Sequence, residues 1–127
     1  MTWRNLVPLA PLVLALTGCG HPVARQLEGR WFGDAVENFE QRELPAVTGW
    51  ARGVSFEFAG ENLTVSVPAE EPRTAPYQVA SVQRNDVRLA IRRPTGEKDT
   101  MLLRLDDDRS IRWMLDDHHA VVLRREE

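Results

Sequence analysis

Val54-Ser55-Phe56-Glu57-Phe58-Ala59-Gly60-Glu61-Asn62-Leu63-Thr64-Val65-Ser66-Val67 is the stretch whose reading decides the fold. Val54, Phe56 and Phe58 alternate with Ser55 and Glu57, and Leu63, Val65 and Val67 alternate with Thr64 and Ser66. A period of two puts the apolar side chains of an extended segment on one face and the polar ones on the other, which is the pattern of a half-buried strand. Between the two runs, Ala59-Gly60-Glu61-Asn62 supplies the small and turn-forming residues of a tight return. The stretch is therefore an antiparallel hairpin with one face in a core.

The same rhythm continues in both directions. Arg30 to Asp34 forms a first strand around Trp31. After a charged loop holding Pro68, Pro72 and Pro76, a strand runs from Tyr77 to Val82. Val87, Leu89 and Ile91 face inward while Arg88, Ala90 and Arg92 face outward, and Pro94-Thr95-Gly96 turns the chain. Met101, Leu103 and Leu105 resume the apolar face; after Asp106-Asp107-Asp108-Arg109 come Ile111, Trp113 and Leu115, and after Asp116-Asp117 a last strand spans His119 to Arg124. Only Val36 to Trp50 departs from alternation, which predicts a brief helix or irregular turn. The chain reads as all-β, an antiparallel up-and-down meander of about eight strands, closed as a barrel or folded as a two-layer sandwich; closure removes exposed strand edges and is preferred. The inward positions, from Trp31 through Phe56, Phe58, Leu89, Leu103 and Leu115 to Leu123, are nearly all bulky, so a packed core is expected rather than a ligand chamber.

Gly29-Arg30-Trp31 at the start of the first strand and Arg124-Arg125 at the end of the last resemble lipocalin-like barrels. In that family a Gly-x-Trp tryptophan packs beside an arginine from late in the chain. The resemblance implies a small barrel and, as an alternative function, carriage of a small hydrophobic ligand.

The N-terminus carries a different message. Arg4, an apolar run from Leu6 to Leu16 and small residues before Cys19 make up the three parts of an export signal. The run is about half the ~20 residues that a membrane span needs and is interrupted by Pro8 and Pro11. Leu16-Thr17-Gly18-Cys19 resembles a bacterial lipobox, which implies removal of residues 1–18 and lipidation of the Cys19 thiol. Two or three acyl chains hold a protein permanently where one gives only marginal binding. Gly20 stands where an Asp would mark inner-membrane retention, so the resemblance implies the periplasmic face of the outer membrane, with the inner membrane as alternative. Residues 19–27 read as a short tether and residues 28–127 as a single β-rich domain. The tether reaches at most about 25–30 Å, which keeps the domain near the bilayer.

Cys19 is the one cysteine, so neither a disulfide nor a thiolate metal site is expected. The net charge is −3 and becomes one unit more negative when Arg4 leaves with the signal; mild acidity gives no basis for nucleic-acid binding. Asp116-Asp117-His118-His119 holds metal-capable types, but alternation would point the two histidines to opposite faces, and an exposed turn is the plainer reading. Asp106-Asp107-Asp108 lacks the spacing of a calcium loop. Ser55, Ser66, Ser81 and Ser110 sit in no nucleophile elbow, so no catalysis and no cofactor are expected.

The remaining candidate site is a row of outward arginines, Arg88, Arg92, Arg104, Arg112 and Arg124. They offer a contact for an anionic lipid or an acidic envelope protein, unless Glu57, Asp86 and Asp99 neutralise them. If Asp106 pairs with Ser110, Arg104 faces Arg112, which requires either a register shift or an intervening carboxylate because like charges opposite one another repel. The expected function is a monomeric, membrane-anchored, non-catalytic interaction or structural module.

Overall fold

A computed structural model describes residues 22–127. Helix α1 (Pro22–Leu27) leads into β1 (Gly29–Glu37); a 3-10 turn (Gln41–Glu43) runs directly into α2 (Leu44–Ala51); then β2 (Ser55–Ala59), β3 (Asn62–Ser66), β4 (Arg73–Gln83), β5 (Asp86–Arg92), β6 (Lys98–Leu105), β7 (Ser110–Met114) and β8 (Ala120–Arg125) follow. The eight strands pair antiparallel in chain order and β8 closes onto β1, giving an up-and-down barrel. β6 pairs with β5 from Lys98 to Arg104 and with β7 from Leu102 to Leu105, so its second half is engaged on both sides.

The hairpin read from the sequence has its expected register: Phe56 opposite Val65 and Phe58 opposite Leu63. Gly60, with φ of 62°, takes the left-handed turn position that disfavours a side chain. Trp31, Phe56, Phe58, Leu63, Leu89, Leu103, Ile111 and Leu123 are each at most 1% exposed and fill the interior. Phe58 meets Phe56 and Tyr77 edge-on at 6.3 and 5.2 Å.

Two strands run further than their sequence patterns suggest. β1 continues through Val36 and Glu37 because a bulge between Gly33 and Ala35 lets it leave β2 and stay paired with β8. β4 begins at Arg73, inside the proline-containing loop. Pro76 is the last position paired with β3, and pairing with β5 begins at Tyr77, so the proline sits where only one neighbour is engaged and its missing N–H is tolerated.

Both ends of the barrel are covered. The stretch read as a tether contains α1, because Val23 and Leu27, four residues apart, share one face of a helix and are buried together at the barrel end. At the opposite end lies α2, with Ala51 fully buried and Trp50 half-buried against Trp113 at 6.2 Å between ring centroids. Leu115, expected to face inward, is 39% exposed: it lies past the end of β7, where its N–H bonds to the His119 carbonyl and closes the turn.

Candidate functional site

The outward row of arginines is divided by its neighbours into two groups. Arg104 and Arg112 do lie directly opposite each other on β6 and β7. Two aspartates relieve the repulsion, each on a different side. Arg104 Nε bonds Asp86 Oδ1 at 2.7 Å; Arg112 clamps Asp106 at 2.6 Å and reaches Glu37 at 3.3 Å. The Arg104 hydrogen bond holds the Asp86 carboxyl below its ordinary value, and the Asp106 hydrogen bond raises the Arg112 guanidinium. Arg124 pairs with Asp34 at 2.8 Å. Three of the five candidates, on β6, β7 and β8, are thus committed to carboxylates. Of the three expected neutralisers Asp86 does that job, whereas Asp99 pairs with Arg93 instead and Glu57 forms no salt bridge among the described residues.

Arg88 and Arg92 differ. Both project outward from β5, both are exposed, and neither forms a salt bridge with a described residue. Arg88 lies opposite Leu102 and Arg92 opposite Lys98 in the register with β6. Two shallow outer hollows flank this strand. One, of about 140 Å³, is lined by Glu61, Gln78, Ala90, Arg92 and Lys98; the other, of about 120 Å³, by Ser81, Gln83, Asp86, Arg88 and Leu102. Both open to the outside of the wall. Lys98 joins Arg92 only because β5 and β6 pair in this register.

The acidic-histidine stretch is a structural turn. Asp116 accepts the backbone N–H groups of His118 and His119 at 2.8 and 2.7 Å, and His119 Nδ1 lies 2.7 Å from its second oxygen. The His119 ring packs on Phe39 at 4.4 Å, and Asn38 donates to the His118 carbonyl, which ties the β7–β8 turn to the segment leading to α2. Asp106, the first residue of the other acidic turn, is bound to Arg112, while Asp107 accepts the Arg109 N–H.

Sequence reasoning also singled out Trp31 and a late arginine. Arg125 stacks over the Trp31 ring at 4.2 Å, the packing that the lipocalin-like resemblance implied. Cys19, the predicted lipidation site, lies outside the described residues. Comparison with protein families, curated proteins and solved structures finds no match to this chain.

Proposed function

We propose that this chain is a lipid-anchored bacterial envelope protein whose barrel is a non-catalytic interaction module, held through Cys19 on the periplasmic face of the outer membrane. The anchoring rests on Leu16-Thr17-Gly18-Cys19 at the end of an export-like leader. The observation that favours a module over a carrier is the filled interior: Trp31, Phe56, Phe58, Leu89 and Leu103 occupy the space in which a lipocalin-like carrier would hold its ligand. A barrel with its inside occupied by its own side chains acts through its outer wall and its ends.

Mass spectrometry of the protein from its native envelope tests the anchor. The expected product begins at Cys19 and carries acyl chains on the thiol; a chain still beginning at Met1 with an unmodified thiol overturns the assignment. Titration with a hydrophobic fluorescent probe tests the module. No saturable uptake is expected, and uptake that quenches Trp113 overturns it in favour of a carrier.

A further inference from the structure

The salt-bridge pattern sorts the arginines by wall. On β6, β7, β8 and β1, Arg104, Arg112, Arg124 and Arg30 each face a carboxylate within 4 Å. Along β5 the pattern is reversed. Arg84 in the β4–β5 turn at the α1 end, Arg88 and Arg92 on the strand, and Lys98 beside Arg92 are all exposed, and none forms a salt bridge with a described residue. The strand from Asp86 to Arg92 spans about 20 Å, with Arg84 in the turn at its start. Arg88 does contribute to holding the Asp86 carboxyl ionised, but the close partner of Asp86 is Arg104. Ala90, Gln78 and Thr100 lie between Arg88, Arg92 and Lys98; of the nearby carboxylates, Asp86 is bonded to Arg104, and Glu61 lines the hollow beside Arg92 and Lys98 without forming a salt bridge among the described residues.

We propose that this β5 stripe of Arg84, Arg88, Arg92 and Lys98 rests on the anionic head groups of the bilayer that holds the anchor. The proposal deepens the anchoring reading and depends on it for the identity of the surface. A lipid surface is favoured over an acidic protein by the length of chain outside the described residues: only three peptide units separate Cys19 from Pro22, a reach of about 10–11 Å. α1 is not free to extend that reach, since Val23 and Leu27 are buried against the barrel. Pro22 is then held at a distance comparable to the Debye length of about 8 Å, so a wall that turns toward the bilayer lies where the surface potential still acts. The α1 end sets Arg25, Arg109 and Arg125 among Asp106, Asp107, Asp108, Glu126 and Glu127, so its acidic side chains outnumber its basic ones. A barrel anchored at that mixed end, with its unpaired cations along β5, lies on its side.

The test uses the mature acylated chain in vesicles of phosphatidylcholine with or without phosphatidylglycerol, with a photo-crosslinking residue placed at Ala90 or, on the opposite wall, at Phe32. Lipid adducts are expected at position 90 in the anionic vesicles, about tenfold above those at position 32 and falling as salt is raised. Arg88→Glu with Arg92→Glu should bring position 90 down to the level of position 32. Arg42→Glu with Arg52→Glu, the same change in charge near α2, should leave it unaltered. The neutral pair Arg88→Gln and Arg92→Gln, which places no new carboxylates on the wall, should give an intermediate loss. Equal adducts at both positions, or adducts at position 90 indifferent to both β5 pairs, overturn the proposal. If the native protein proves to lack acyl chains, coupling Cys19 to a maleimide lipid supplies the anchor and the same comparison decides the face, so failure of the anchor and failure of the face are told apart.

Discussion

The Arg125 guanidinium sits 4.2 Å from the centre of the Trp31 ring and at the same time donates to the backbone carbonyls of Gln26, Glu28 and Asp108. Trp31 completes the arrangement by donating its Nε1 hydrogen to the Leu27 carbonyl at 2.9 Å. One cation thus caps the carbonyl end of α1, pins the β6–β7 turn and covers the first core tryptophan. Favourable interaction of a cation with the carbonyl end of a helix is expected from its dipole.

Arg125→Lys keeps the charge but has no planar fork to serve three carbonyls, so it should cost about 2–3 kcal/mol, the scale of charge-assisted hydrogen bonds plus a cation–π contact. Urea denaturation measures this. A lysine variant within about 0.5 kcal/mol of the parent would show that α1 is held without the arginine's fork, by the burial of Val23 and Leu27 and the Trp31 hydrogen bond.

Gly33→Ala should be among the most damaging single substitutions. A Cβ there would stand 1.8 Å from the Ala51 carbonyl oxygen, so α2 and the β1 bulge would have to separate, at a cost of about 3 kcal/mol or more. Gly49→Ala, in α2 with open space around the added methyl, should instead raise stability by about 0.5–1 kcal/mol. Thermal melts of the two variants should move in opposite directions; a shared direction would contradict the packing of α2 on β1.

Tyr77 places its hydroxyl in the core with no hydrogen-bond partner among the described residues, and burial, aided by the nearby Glu28 carboxylate, pushes its ionisation upward. Removing an unsatisfied buried hydroxyl relieves a desolvation cost, so Tyr77→Phe should be neutral or stabilising by about 1 kcal/mol. A loss above about 1 kcal/mol would reveal a partner for the hydroxyl in solution.

Three aspartates make the fold sensitive to acid. Asp86 is held below its ordinary value by the Arg104 hydrogen bond, Asp99 by the Arg93 hydrogen bond, and Asp116 by the His119 backbone N–H, the His119 ring and the His118 N–H. A folded pKa below the unfolded one contributes stability in full above the unfolded value, near 4, and loses it as pH falls through the folded value. The melting temperature should therefore decline below about pH 4, and Asp116→Asn, with no proton to take up, should flatten that decline. An acid slope identical in parent and variant would remove Asp116 from the account.

Much of the architecture is legible in alternation. Phe56 and Phe58 on one strand and Leu63 and Val65 on the next face a core whatever surrounds them, because water excludes apolar side chains from either sequence neighbour's side. Where alternation failed as a guide, a second constraint was acting. Arg73 to Pro76 looks like loop, since charge and proline mask a strand that pairs on one side only. Val23 and Leu27 look like tether, since two apolar residues in a polar stretch gain meaning only when a barrel end is there to receive them. The arginine row shows the same division at the candidate site: that Arg88, Arg92, Arg104, Arg112 and Arg124 point outward follows from period two, but which of them keep an unclaimed charge does not.

By itself the sequence determined that the domain is built of strands with a bulky apolar interior, that its return turns fall at glycine and aspartate clusters, and that its arginines line the outside, because each of these depends on residues within a few positions of one another. Tertiary structure alone decided that the sheet closes with β8 on β1, that α1 and α2 stop its two ends, and that Asp34, Glu37, Asp86 and Asp106 claim one set of arginines while the β5 set stays open. Those outcomes depend on register and distance between segments more than ninety residues apart, and a charge is neutralised by whatever the fold brings within a few ångströms of it.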